Sequence, residues 1–122
     1  MSSGYFIAPK LVVTNGDMSA NITSSITLKQ EISGINYSVV FTGAPVGVFT
    51  IEASDDYSVN ADGSVHFAGT WNTLPVAPVV TATGSSGHGM LEAVTLCYAT
   101  RLVYTFTSGT GVLNVTVIGQ GL

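Results

Sequence analysis

Apolar and polar residues alternate with a period of two along most of this chain, the pattern of strands with one buried face. The clearest stretch is Thr95–Gly119. Two β-rich runs flank Ser108-Gly109-Thr110-Gly111. Read as a hairpin on that turn, Phe106 faces Leu113, Tyr104 faces Val115 and Leu102 faces Val117, all on one face. The other face pairs Thr105 with Asn114, Val103 with Thr116 and Arg101 with Ile118. A second hairpin is expected over Ile35–Thr42 and Val48–Ser54 around Gly43–Gly47. It sets Phe41 opposite Phe49, Val39 opposite Ile51 and Tyr37 opposite Ala53.

The remaining segments are shorter. Tyr5–Ala8 is apolar, and Pro9 confines it to an edge strand or an extended crossing segment. Lys10–Thr14 reads as a strand closed by the turn pair Asn15-Gly16. Asn21–Lys29 reads as another, with Ile22, Ile26 and Leu28 on one face. Asp55–Ser64 is a polar loop, Val65–Thr73 a strand carrying Phe67 and Trp71, and Leu74–Pro78 a bend. Val79–Thr83 is a short strand, Gly84–Gly89 a flexible loop, and Met90–Leu96 extended. No stretch has the 3.6-residue period of a helix. The expectation is an all-β fold: an antiparallel two-sheet β-sandwich, jelly-roll or Ig-like, of about seven to nine strands. Residues 1–9 form an N-terminal arm and 10–122 a single sandwich domain.

Charge changes the picture. Three Lys or Arg and seven Asp or Glu make up 8% of 122 residues, against about 25% in ordinary soluble domains. A surface with so few charges is poorly protected against association. The physical account is that much of it is covered by copies or partners. Three basic residues and a net charge of −4 argue against nucleic acid as a partner, since phosphates need Lys and Arg. No apolar run reaches the ~18–20 residues of a bilayer span, so no membrane partner is expected, and no signal peptide is apparent.

The candidate chemistry is thin. Asp55, Asp56, Asn60 and Asp62 place oxygen donors in one loop, but outside the EF-hand spacing. A solvated loop with Asx turns is the simpler reading, and no metal is expected. His66 and His88 are the only histidines. Neither has a nucleophile and an orienting carboxylate in a recognisable pattern, so no enzyme activity and no cofactor are expected. Cys97, the lone cysteine, reads as a small buried hydrophobe. Trp71 reads as a core or inter-sheet residue. The sequons at Asn21, Asn36 and Asn114 read as chance.

Arg101–Asn114 resembles the closing "RLVYTxTSGTGxLN" hairpin of small β-sandwich proteins encoded among the virion genes of tailed and other bacteriophages. Val48–Asp55 and Gly69-Thr70-Trp71 are similar to further pieces of those proteins, in the same order. The resemblance covers roughly Ile35 to the C-terminus. It implies a structural role on a phage particle, such as capsid decoration, cement or a minor capsid component, with no catalytic residues. The expected partners are then copies of the chain, a trimer among the possibilities, and other capsid proteins. Localisation would be the virion. The candidate interface residues are Tyr5, Phe6 and Ile7 of the arm, with Arg101, Val103 and Ile118. The alternative is a glycan- or receptor-binding module that uses Asp55, Asp56, Tyr57 and His88.

Overall fold

A computed structural model describes residues 6–28, 34–74, 80–93 and 99–120. The described residues are strands and turns, as the period of two requires. In chain order the strands are β1 (Phe6–Asp17), β2 (Ile22–Thr23), β3 (Thr27–Leu28), β4 (Gly34–Gly43), β5 (Val46–Ser54) and β6 (Ser58–Val59). Then come β7 (Val65–Phe67), β8 (Asn72–Leu74), β9 (Val80–Thr83), β10 (Gly87–Ala93), β11 (Ala99–Ser108) and β12 (Gly111–Gln120).

One sheet has the order β1-β12-β4-β10. The other has the order β2-β11-β5-β8, with β3 also on β11 and β9 also on β5. The pairs β2/β3 and β8/β9 therefore each occupy one strand position, and the two sheets have four positions apiece. Nearly every connection passes from one sheet to the other. This is the strand order of a jelly roll. Among the described residues twelve strands exceed the expected seven to nine because two edges are fragmented and β6 pairs β7 in a small separate hairpin.

Both expected hairpins are corrected. β4 lies in the first sheet and β5 in the second; β11 lies in the second and β12 in the first. Each pair is an arch between sheets. The inward residues are those the alternation selects: Tyr37, Val39, Phe41, Phe49, Ile51, Leu102, Tyr104, Leu113, Val115 and Val117 are all buried. They meet across the core rather than along a ladder. Phe41 and Phe49 have ring centroids 5.5 Å apart, and Phe49 and Tyr104 5.0 Å.

The two arches run antiparallel, β12 on β4 and β11 on β5. Their corners touch backbone to backbone. The Ala44 N–H donates to Thr110 O at 2.9 Å, the Gly84 N–H to Pro45 O at 2.7 Å and the Met18 N–H to Gly111 O at 3.0 Å. Four inter-sheet corners are thus tied in a row at one end of the sandwich. Gly109 has a φ of 81°, and a Cβ there would strike the Ala44 carbonyl oxygen.

Local corrections follow from hydrogen bonding. Asn15-Gly16 does not end its strand. Asn15, at φ 50°, lies within a bulge, and Asn114 Oδ1 accepts its N–H at 2.9 Å. The 21–29 strand breaks at Ser24, whose N–H donates to Leu102 O at 2.9 Å while its Oγ accepts the Leu102 N–H at 2.8 Å. The 65–73 strand breaks into β7 and β8, and Gly87–Gly89 belong to β10 rather than to a loop. Phe6 and Ile7 are not a free arm. Their backbones pair with Gln120 and Gly119 as the start of β1, an edge strand as Pro9 requires. Tyr5 and Cys97 lie outside the described residues.

Candidate interaction surfaces

The loop between β5 and β8 folds back onto the outer face of the second sheet. Ser54 ends β5, and its Oγ donates to Asp56 Oδ1 at 2.8 Å and accepts the Tyr57 N–H at 3.2 Å. Asp56 Oδ1 also accepts the Thr70 N–H at 2.6 Å. These bonds, that from Thr70 foremost and then that from Ser54, hold the Asp56 carboxyl below its usual range. They bring Trp71 beside Tyr57, ring centroids 5.9 Å apart. Trp71 also receives Arg101, whose guanidinium carbon lies 4.1 Å from the ring centroid. Arg101 is directly opposite Glu52 in the ladder and forms an ion pair with it at 2.8 Å. The Trp71 Nε1–H donates to Ala68 O at 2.9 Å. Trp71 is therefore not a core residue but a half-buried clamp on the outside of the sheet.

Beyond this clamp, β6 and β7 form a short hairpin. Its tip is an Asx turn: Asp62 Oδ1 accepts the Ser64 N–H and Oγ–H at 3.0 and 2.6 Å, and Asn60 Nδ2 donates to Ser64 Oγ at 3.0 Å. Val59, Val65 and Phe67 are exposed on the hairpin. Among the described residues no group of three metal-ligating side chains forms a cation site.

The outer face of the first sheet is different in kind. Its central strands, β4 and β12, carry no charged residue. Leu11, Val40, Met90 and Val112 stand exposed on it, at 54%, 51%, 57% and 41%. The registers place them among Ser38, Asn114 and Thr116. On β10, His88, Met90 and Glu92 are the exposed outward residues.

The expected site residues do not converge. Arg101 and Val103 lie on the outer face of the second sheet, and Ile118 on that of the first, because β11 and β12 belong to opposite sheets. Asp55, Asp56 and Tyr57 follow β5 in the second sheet, whereas His88 is opposite Val40 in the first. Tyr57 is buried, packed against Trp71, and offers no free ring to a sugar. Sequence reasoning missed the exposed outward row of β10. Its signal was the alternation His88, Met90, Glu92, hidden in a segment read as part loop.

No protein-family model matches the sequence, and no curated protein matches it. Among solved structures the chain is similar to the SPBc2 prophage-derived protein YomS, with a TM-score of 0.55 at 7% identity over 99% of this chain and 97% of that one. Weaker likenesses are to dimeric latent PorU from Porphyromonas gingivalis (TM-score 0.41, 13% identity, 97% of this chain and 13% of that one) and to infectious bursal disease virus Gt strain (TM-score 0.33, 12% identity, 96% and 39%). The first likeness is one of fold, and it runs the whole length of both chains: this jelly roll is similar in architecture to that of a prophage-derived protein.

Proposed function

We propose that the chain is a non-enzymatic structural protein of a phage virion, a capsid decoration, cement or minor capsid component that works through contacts between copies and with the shell. The observation that carries this reading is the outer face of the first sheet. Two adjacent central strands without charge, with Leu11, Val40, Met90 and Val112 exposed around them, form a surface suited to burial against protein. Its Ser, Thr and Asn residues suit a neutral, wet interface. The fold shared with a prophage-derived protein and the resemblance of Arg101–Asn114 to phage virion hairpins support the same reading. The alternative, a glycan- or receptor-binding module, loses support from the separation of His88 from Asp55–Tyr57.

The test is sedimentation of particles from cells producing the phage that encodes the chain. Recovery of the chain with intact particles through a density gradient is the expected result. A chain that stays wholly with soluble protein overturns the reading.

A further inference from the structure

We propose that two copies of this chain join edge to edge through β10, about a two-fold axis at Met90. The inference deepens the assembly reading above and rests on it.

The first observation concerns the edges of the two sheets. An unpaired strand edge invites another strand, and proteins blunt such edges with Pro, Lys, bulges or short strands. The β1 edge has Pro9, Lys10 and three register shifts. The other sheet's edges are broken, β2/β3 at one side and β8/β9 at the other. β10 has none of these devices. It runs seven residues, Gly87–Ala93, in unbroken register with β4, and contains neither Pro nor Lys. Among the described residues only β4 pairs with it.

The second observation is that β10 is complementary to itself. Antiparallel pairing of two such strands about Met90 sets residue 87 opposite 93, with residue 90 on the axis. His88 then stands opposite the second copy's Glu92, twice by symmetry, and Met90 opposite Met90. Opposed side chains on one face of an antiparallel pair lie about 4.5–5.5 Å apart at Cβ, close enough for imidazole and carboxylate to bond. A two-residue slip sets Met90 opposite His88 in one direction and opposite Glu92 in the other, and loses both His88–Glu92 pairs. The axis is perpendicular to the sheet, so outward residues stay outward in both copies. Sheet order becomes β1-β12-β4-β10 followed by the same strands reversed. Met90, 57% exposed in the single chain, is covered in part by its counterpart.

Light scattering over a concentration series tests the proposal. The wild-type chain is expected to form dimers or larger even-numbered assemblies. Glu92→Lys sets cation against imidazole and is expected to weaken association about tenfold. Adding His88→Glu to it restores the pairing with signs reversed. In a Cys97→Ser background, Met90→Cys is expected to give disulfide-linked dimers with an added oxidant, while Ser38→Cys, one strand inward, gives none. A trimer, unchanged association of Glu92→Lys, or linkage at position 38 instead of 90 overturns the β10 pairing. A monomer that still sediments with particles overturns it too, and leaves the virion reading standing.

Discussion

Arg101 lies over the face of Trp71 at 4.1 Å while its Nε and Nη2 both reach Glu52 Oε1 at 2.8 Å. One side chain thus clamps the 55–71 loop to the second sheet. An ion pair whose side chains are 26% and 23% exposed contributes at most about 1 kcal/mol, and a cation over an indole about as much. Arg101→Ala is expected to lower the unfolding free energy by about 1–2 kcal/mol. Arg101→Lys retains part of this, because it keeps the charge but not the planar fork. Trp71 is the only tryptophan, so its emission in urea reports both loop and global unfolding. Unchanged emission and stability in Arg101→Ala would show that the stack contributes nothing.

A second link joins the two sheets through the core. Tyr37 OH and Thr100 Oγ1 are 2.8 Å apart, and both residues are fully buried. Removing one partner leaves the other buried with a bond lost, at about 1–2 kcal/mol. Tyr37→Phe and Thr100→Val are each expected to destabilise by that amount. The double variant is expected to lose less than the sum, since one bond cannot be lost twice. Denaturation of the four proteins measures the coupling; strict additivity would mean that the bond is energetically silent.

These inter-sheet contacts explain what the sequence could and could not convey. Alternation marked Phe41, Phe49, Tyr104 and Val115 as inward, and all are buried. It did not say which inward residue meets which. Phe41 facing Phe49 satisfies a hairpin ladder and a sandwich core equally well, because both bury one face of each strand. The deciding information lay in the corners. Gly43-Ala44-Pro45 and Gly109-Thr110 are short enough for either geometry, and only the close approach of their backbones selects the arch. Asn15 shows the same limit: a left-handed residue serves a turn or a bulge, and the acceptor that decides between them, Asn114, is 99 residues away. Trp71 was misplaced because its partners, Arg101 and Tyr57, come from separate parts of the chain. The uncharged outer face of the first sheet was legible only as a shortage of charge; its location required the sheet order.

The corner glycines give a graded prediction. Gly63 and Gly109 both have positive φ, 89° and 81°. At Gly63 a Cβ would meet nothing within 4 Å, while at Gly109 it would strike the Ala44 carbonyl and lie 3.2 Å from Pro45 Cα. Gly63→Ala bears only the left-handed strain, about 1–2 kcal/mol. Gly109→Ala adds a backbone collision and must open the two corners, for a total of about 3 kcal/mol or more. Chemical denaturation of the two variants tests the order. Equal losses would refute the contact between corners as a determinant of stability.

Acid should release the 55–71 loop through Asp56. Its carboxyl accepts the Thr70 N–H and the Ser54 hydroxyl, which hold its pKa below the ordinary 3.8. A carboxyl depressed in the folded state contributes stability that is present above the unfolded value and lost as pH falls through the lower folded value. The loss therefore falls below pH 3.8. Asp17 and Asp62 are depressed as well, each through Ser contacts, Ser19 and Ser64, so those two turns weaken in the same range. Asp56 differs in that Thr70 adjoins the chain's only tryptophan. Asp56→Asn keeps an oxygen for the Thr70 N–H but removes the proton linkage. Its Trp71 emission, followed from about pH 5 to about pH 2, is expected to change less than that of the wild type. Asp62→Asn, at the far hairpin tip, should leave the early Trp71 response in place. If the three profiles coincide, protonation of Asp56 is not what frees the loop.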